Sequence, residues 1–275
     1  MTTETQTSMP IEALRNSVRL HDPYTLTALD QAGTPLLGLA AGDRPVTLPD
    51  GADHVLVAAG AGGGTTTLLR SLTAQVLCLG AHVDVIDPTG SAHRWARHLP
   101  RVTYHSRIAA IHDHLQLTLA ALQDGTSAVD GGWAGRRILV IENTRTVTYA
   151  LREYWSHSRP DSQLEEAPGV EALAMLLAAG GSFGIQVFAG NPHGDIPGLD
   201  EIRVSDVFPV RVLAYGGATV WQRVAPEVWP VPPASITPGR MHVVANRTVT
   251  AFQALNLTDD EARGFAHGLT PRESA

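Results

Sequence analysis

The sequence predicts an α/β fold with a mostly parallel central sheet. Short apolar runs such as 137–141 (RILVI) and 185–189 (IQVFA) are typical of strands that are buried on both faces of a parallel sheet. Stretches whose apolar residues recur at helical spacing, such as 108–122, alternate with these runs along the chain. This alternation of strands and helices indicates a parallel sheet that is covered by helices.

The first half of the chain begins with a predicted hairpin. Turn signals at 30–33 and 41–45 divide the β-type runs between Tyr24 and Thr47, and the hairpin precedes the first buried strand. The elements expected after it are a strand at 55–59, a helix at 68–79, a strand at 81–86, a short helix at 91–98, a strand at 101–104 and a helix at 108–122.

The second half continues the alternation and ends in a second hairpin. Thr258 and Glu261 have the spacing of a capping box, which predicts the start of a final helix. The elements expected before it are a strand at 137–141, an exposed loop at 157–169, a helix at 170–179, strands at 185–189 and 207–214, a proline-rich linker at 226–238 and a hairpin of 241–244 with 248–254.

The length and composition favour one globular domain. The chain has 275 residues, of which 44% are hydrophobic and 17% charged, so it can bury a large core. We expect a flexible lead-in over 1–20, one domain over 21–268 and a tail over 269–275. The sequence starts without a signal-peptide pattern and contains no apolar stretch long enough for a membrane span, which predicts a cytoplasmic protein.

The charge balance limits the partners that the sequence supports. The net charge is −7 and the pI is about 5.9, which argues against a domain coated in basic residues for nucleic acid, so DNA contact would need a local Arg-lined surface. The single cysteine, Cys78, lies in an apolar helical stretch, so we expect it to be buried and structural.

The stretch 54–69 (HVLVAAGAGGGTTTLL) carries the clearest functional pattern. An apolar strand ends in a glycine-rich turn, and a helix follows, which is the arrangement that aims backbone N–H groups at a phosphate. The phosphate-loop pattern G-x-x-x-x-G-K-[ST] aligns with 60–67. The predicted nucleotide-binding residues are therefore Gly60, Ala61, Gly62, Gly63, Gly64, Thr65, Thr66 and Thr67.

The loop lacks the positively charged lysine of the phosphate-loop pattern. Thr65 stands at the position of the second glycine, Thr66 at that of the lysine, and Thr67 at that of the hydroxyl residue. All 20 basic residues of the chain are Arg, so no segment can supply the Lys that nucleotide phosphates usually meet. The sequence thus predicts a phosphate loop with weakened chemistry.

The chain resembles the FtsK/SpoIIIE-type motor domain of the P-loop ATPases over about residues 35–265. It is similar in particular to members from type VII secretion and plasmid transfer. The motifs that carry the resemblance are 35–39 with 44–46, Asp87-Pro88-Thr89-Gly90 after the second strand, 138–142 as the strand of the metal-site carboxylates, 184–192 as the strand that ends in a phosphate sensor, and 208–212, 238–240 and 252–254.

The resemblance implies a fold, a cofactor and partners. The fold would be a RecA/FtsK-like three-layer sandwich with flanking β-hairpins. The cofactor would be ATP or ADP with Mg²⁺, with Thr67 and Glu142 as the metal-site residues. The partners would be further copies or related subunits in a ring-type homo- or hetero-oligomer, and DNA.

The departures from the family pattern fall where hydrolysis would occur. The acidic residue at the strand end is Glu142, the adjacent catalytic Glu is replaced by Asn143, and the sensor Gln by Asn191. An amide cannot act as a general base. The loss of the base and of the cation removes two contributions to catalysis, each on the order of several kcal/mol. We therefore expect weak nucleotide binding at most, and ATP hydrolysis that is absent or very weak.

Three functions remain open from the sequence. The first is a pseudo-ATPase that acts as a scaffold or as a regulatory or assembly subunit. The second is a residually active DNA translocase, in which an Arg replaces the lysine and Arg136, Arg137 or Arg145 lines a pore. The third is a dinucleotide-binding protein that uses Gly60-x-Gly62-x-x-Thr65, with Asp84 or Asp87 as the ribose-binding acid.

Histidines cluster between residues 93 and 114. The pair His112-x-His114 lies in a predicted helix, where residues two apart point in different directions, so it does not form a zinc-ligand pair by itself. We expect surface or capping roles for the members of this cluster, which are His93, His98, His105, His112 and His114.

Overall fold

The computed structural model describes residues 13–49, 52–124, 132–196 and 203–268. Within these residues eleven strands form one sheet, with the order β3-β2-β11-β10-β9-β4-β8-β7-β5-β6 and with β1 beside β11. The strands are β1 (Val18–Arg19), β2 (Leu36–Leu39), β3 (Pro45–Thr47), β4 (His54–Ala59), β5 (His82–Ile86), β6 (Val102–His105), β7 (Arg137–Ile141), β8 (Ile185–Gly190), β9 (Val210–Ala214), β10 (Arg240–Ala245) and β11 (Thr248–Asn256).

Helices cover both faces of the sheet. Two short ones, at Pro23 and Pro168, start with a proline, which suits the first turn because the missing N–H has no partner there. The helices are α1 (Pro23–Gln31), α2 (Thr65–Cys78), α3 (Ile108–Gln123), α4 (Thr144–Ser158), α5 (Pro168–Ala179), α6 (Val204–Val207), α7 (Ala218–Val224) and α8 (Asp259–Ala266).

The centre of the sheet is parallel and its far edge is antiparallel. Strand β4 pairs in parallel with β8 on one side and with β9 on the other. Strands β7, β5 and β6 continue the parallel part beyond β8. On the other side, β10, β11, β2 and β3 add antiparallel strands. The predicted mostly parallel α/β sheet with flanking hairpins is confirmed.

Strand β4 divides the hydrophobic core into two layers. Val55, Val57 and Ala59 pack into the layer that contains α2, while Leu56 and Ala58 pack into the layer that contains α3, α4 and α5. Alternate residues of a strand point to opposite faces, so a strand that is apolar at every position needs a helix layer on each side. The result is the expected three-layer arrangement.

Four helices differ from the sequence prediction. Helix α6 includes residue 207, where a strand is predicted to start, and α7 forms where no element is predicted. The stretch 23–31, expected to be β-type, forms α1, and 144–158, for which no element is predicted up to residue 156, forms α4. Tertiary contacts outweigh the low helix propensity of their Thr and Tyr residues, because Thr25 and Ala28 of α1 and Leu151 of α4 are buried. The loop expected at 157–169 is therefore shorter, since α4 ends at Ser158 and α5 begins at Pro168.

The expected chain ends lie partly outside the described residues. Residues 1–12 of the predicted lead-in and the whole predicted tail, 269–275, are not described. Within the described part of the lead-in, Val18 and Leu20 are buried and β1 pairs with β11, so the fold includes residues before the expected boundary at 21.

Cys78 is exposed, and the expectation that it is buried is wrong. It is the last residue of α2, and the buried face of that helix ends at Leu77. In the described part of the chain, no helix is both long enough and apolar enough to cross a bilayer.

The contact between β2 and β11 gives a test of the fold. A Cβ built on Gly38 would lie 2.0 Å from the backbone oxygen of Gln253, whereas one built on Gly33 meets nothing within 4 Å. We expect Gly38→Ala to lower the free energy of unfolding by about 1–3 kcal/mol, because the paired strands must separate. Urea unfolding measures the change, and Gly33→Ala is the matched control. Equal stability of the two variants would contradict the strand pairing.

Candidate phosphate-binding cleft

The loop 60–67 leaves the carboxyl end of β4 and is fixed by its own backbone. The Gly60 amide donates to the Ala214 carbonyl at 3.0 Å, and the Gly63 amide donates to the Gly60 carbonyl at 2.7 Å. Gly62 and Gly64 have φ values of 76° and 97°, which residues other than glycine rarely adopt. The glycines therefore let the chain turn sharply from the strand into α2.

The first turn of α2 presents amides to the space in front of the loop. The first intrahelical bond runs from the Leu68 amide to the Gly64 carbonyl at 2.9 Å. The amides of Thr65, Thr66 and Thr67 precede it, so they have no acceptor inside the helix and point out of its N-terminus. Together with the helix dipole, they form a site that favours an anion.

A cleft of about 850 Å³ lies in front of these amides. The loop forms one wall, and the other walls come from the turn after β5, the end of β7 with the start of α4, and the end of β8. None of its described lining residues is an Arg. The lining residues are Ala59, Gly60, Ala61, Gly62, Gly64, Thr65, Thr66, Thr67, Pro88, Thr89, Ser91, Ala92, Glu142, Asn143, Thr146, Pro192 and His193.

Glu142 connects the loop to the opposite wall. The Thr66 hydroxyl, at the position of the lysine, donates to Glu142 Oε1. His93 Nε2 lies 2.7 Å from Glu142 Oε2 and donates to it, and the His93 side chain is fully buried. We call this chain of contacts, Thr66–Glu142–His93, the Glu142 clamp.

Asp87 fixes the segment that carries His93, a member of the Glu142 clamp. Its carboxylate accepts from the Tyr104 hydroxyl at 2.6 Å, from the Thr89 hydroxyl at 2.6 Å and from the His93 amide at 3.2 Å. Burial raises the pKa of the Asp87 carboxyl, but these hydrogen bonds outweigh burial and the pKa lies below its usual value. Asp87 is therefore ionised near neutral pH and fixes the segment that carries His93.

Solved structures from type VII secretion and conjugation systems share this architecture. Thermomonospora curvata EccC (ATPases 2 and 3), in complex with a signal sequence peptide, matches with a TM-score of 0.65 and 17% identity over 93% of this chain and 46% of that chain. The pCW3 conjugation coupling protein TcpA, in its monomer form with ATPγS, matches with 0.63 and 15% identity over 90% and 72%. EssC (ATPases 2 and 3) from Geobacillus thermodenitrificans matches with 0.61 and 14% identity over 82% and 42%.

These likenesses concern the fold. No family model and no curated protein matches the sequence. The chain spans less than half the length of the EccC and EssC structures above. This chain has the fold of FtsK/SpoIIIE-type P-loop ATPase domains. The resemblance found in the sequence is confirmed at this level.

In this P-loop fold, Asn143 caps a helix. It directly precedes α4, and its side-chain oxygen accepts from the Thr146 amide at 3.0 Å. An N-cap residue satisfies one of the amides that have no partner inside the helix. Asn143, which the sequence resemblance aligned with a catalytic Glu, therefore has a structural role here, and its amide cannot act as a general base.

Asn191, at the predicted sensor position, is fully buried and does not line the cleft. Its side-chain amide nitrogen donates to the Thr144 hydroxyl at 2.9 Å and to the Asp195 carbonyl. Its side-chain oxygen accepts from the amides of His193 at 2.9 Å and Gly194 at 3.1 Å. Asn191 thus organises the loop after β8 with all its hydrogen-bonding groups.

The arginines proposed for a pore lie elsewhere. Arg137 pairs with Asp84, Arg136 lies over the Trp133 ring, and Arg145 pairs with Asp195 at 3.2 Å. None of them lines the described part of the cleft. Among the described residues, no Arg therefore lines the cleft in place of the missing lysine.

The topology excludes the dinucleotide-binding alternative. In a Rossmann sheet, the strand after the first helix lies next to the first strand, and its acidic end reaches the ribose. Here β7 and β8 lie between β4 and β5. Asp84 is paired with Arg137, and Asp87 holds the clamp, so neither acid can complete a dinucleotide site beside the loop.

The expected surface or capping role of the histidines is wrong for His93 and His114. Their side chains are buried, with 0% and 9% exposure. Nothing in the spacing of the cluster distinguishes His93, because its partner Glu142 is 49 residues away. The fold, rather than a local pattern, makes it a site residue.

The cap at α4 gives a test of the role of Asn143. We expect Asn143→Ala to lower the free energy of unfolding by about 0.5–2 kcal/mol, and Asn143→Asp to keep the wild-type value, because both Asn and Asp cap helices. Chemical unfolding of the three proteins measures this. If Asn143→Asp were as unstable as Asn143→Ala, the capping role would be refuted.

Proposed function

We propose that this chain is a degenerate P-loop protein of the FtsK/SpoIIIE type, a pseudo-ATPase that binds nucleotide weakly and acts as a scaffold or as a regulatory or assembly subunit. The observation that carries the proposal is the Glu142 clamp. It places a neutral hydroxyl, bonded to a carboxylate, where an active ATPase places a cation for the phosphates.

The retained parts support nucleotide binding. The amides of the loop and of the first turn of α2 remain available to phosphate oxygens, since phosphate recognition at a helix N-terminus depends on backbone groups. If Mg²⁺ accompanies the nucleotide, the Thr67 hydroxyl and the Glu142 carboxylate are the oxygen donors beside the loop that suit it. Binding is weak because Glu142 brings negative charge to the cleft and no Arg among its described lining residues offsets this charge.

The lost parts argue against hydrolysis. Transfer of the γ-phosphoryl group depends on positive charge at the phosphates and on a residue that positions the attacking water. The cleft offers Thr66 for the first and Asn143 for the second. The loss of each group raises the barrier by an amount on the order of several kcal/mol. With both groups lost, we expect the rate of hydrolysis to be little above that in water.

The comparisons support a role inside an assembly. Two of the similar structures contain ATPases 2 and 3 of one protein, so two ATPase units occur together in EccC and in EssC. A domain that keeps the fold and the cleft but lacks the catalytic groups can still provide contacts within such an assembly. We propose a ring-type homo- or hetero-oligomer, without DNA translocation by this chain.

The proposal predicts a small thermal shift with nucleotide. A ligand that binds only the native state stabilises it by about 0.4 kcal/mol when its concentration equals Kd, which is about 1–2 °C for a chain of this size. We expect such a shift with millimolar ATP-Mg²⁺ or ADP-Mg²⁺ and none with NAD(H). The measurement is the midpoint of thermal unfolding.

The control for this shift is a pair of threonine variants. Thr67→Ala should reduce the Mg²⁺-dependent part, whereas Thr27→Ala, exposed on α1, should leave the shift unchanged. The absence of any shift with ATP or ADP would contradict weak binding. A shift with NAD(H) alone would contradict the whole proposal.

Because position 66 lacks a cation, a lysine placed there should strengthen nucleotide binding. We expect Thr66→Lys to raise the affinity for ATP about tenfold or more, because a charged group then contacts the phosphates, and such contacts are worth about 1.5–3 kcal/mol. Calorimetric titration with ATP-Mg²⁺ measures this gain. Thr146→Lys adds the same charge to another wall of the cleft and is the matched control. An equal gain in both variants would refute the special role of position 66.

A further inference from the structure

Three side chains on one face of the sheet converge under α3, away from the phosphate cleft. Asp84 lies on β5, His105 ends β6, and His114 lies in α3. One ligand atom from each lies within 4.8 Å of the other two. Asp84 and His114 are buried, with 2% and 9% exposure. None of the three lines the phosphate cleft.

The two histidines place buried ring nitrogens beside the Asp84 carboxylate. The rings stack with their centroids 4.1 Å apart. The Nε2 atom of His105 is buried and has no hydrogen-bond partner among the described residues, whereas the buried Nε2 atom of His114 lies 3.3 Å from Asp84 Oδ2. Buried polar atoms without a partner are uncommon, because each costs about 1–3 kcal/mol. Their position beside a buried carboxylate points to a ligand that accepts lone pairs.

We propose that Asp84, His105 and His114 bind one divalent transition-metal ion of the Zn²⁺ class. Zinc in proteins is held by such nitrogen and oxygen ligands at about 2.0–2.2 Å in a tetrahedron, so two ligand atoms lie about 3.3 Å apart. The distance between His114 Nε2 and Asp84 Oδ2 is 3.3 Å. With three protein ligands, the fourth position is left for water.

Arg137 sets the affinity of this site. Its guanidinium donates to both oxygens of Asp84, with Nη2 3.3 Å from Oδ1. A carboxylate has about four lone-pair positions, so it can hold the guanidinium and a metal ion together. The positive charge of Arg137 nevertheless opposes the ion. The proposal therefore predicts that affinity rises when Arg137 is neutralised.

The experiment is a titration of untagged, chelator-treated protein with Co²⁺, followed by competition with Zn²⁺. We expect one Co²⁺ per chain with the visible absorption of a four-coordinate site, and its loss when Zn²⁺ is added. His105→Asn and His114→Gln should each lower the affinity at least about 100-fold, the upper end of the loss caused by removing an outer-shell partner. His112→Gln, in the same helix but outside the group, should bind as the wild type does.

The remaining outcomes also decide the proposal. Arg137→Gln keeps all three ligands and should bind Co²⁺ several-fold more tightly, which tests the site even where a histidine variant does not fold. Absence of the absorption in the wild type would overturn the proposal. Equal loss in His112→Gln and His105→Asn would also overturn it, because it would show that binding does not depend on this group of three. Unchanged affinity in Arg137→Gln would overturn it as well.

Discussion

The burial of β4 is the constraint on which the site depends. Every residue of this strand is buried, and it has parallel partners on both sides. A strand in that position must leave the sheet at its carboxyl end through a tight turn, and the next helix must start there. The glycines at 62 and 64 allow the turn, and α2 presents its free amides to the cleft. The same packing that stabilises the sheet therefore maintains a phosphate-binding shape.

The charged groups around the Glu142 clamp differ from those of an active ATPase site with this fold. In an active site of this fold, a flexible cation faces the phosphates and a carboxylate next to the strand end positions water. Here the hydroxyl of Thr66 and the buried ring of His93 satisfy Glu142, and Asn143 caps α4. Both oxygens of the Glu142 carboxylate and the side-chain oxygen of Asn143 therefore have partners inside the protein. This supports a domain maintained for its contacts rather than for turnover.

The sequence predicted the parts of this structure that depend on local patterns. Apolar runs such as 137–141 and 185–189 gave the buried strands, and glycine spacing gave the loop. The sequence of helix α4 mixes β-branched, aromatic and charged residues, so it shows no helical pattern. Its cap, Asn143, therefore could be interpreted from the sequence only as the replacement of a catalytic residue. His93 and the group Asp84, His105 and His114 could not be predicted, because their contacts join residues that only the sheet order brings together. Local spacing carries no information on such contacts.

The most direct test of the account is single-turnover hydrolysis of ATP-Mg²⁺, with the protein in excess over the nucleotide. This format detects even one slow cleavage per site and does not depend on product release. The account predicts that nucleotide binds while ADP and phosphate form no faster than in buffer alone. Formation of phosphate well above that rate, lost in Thr67→Ala, would show that the cleft is a working ATPase site and would contradict the account.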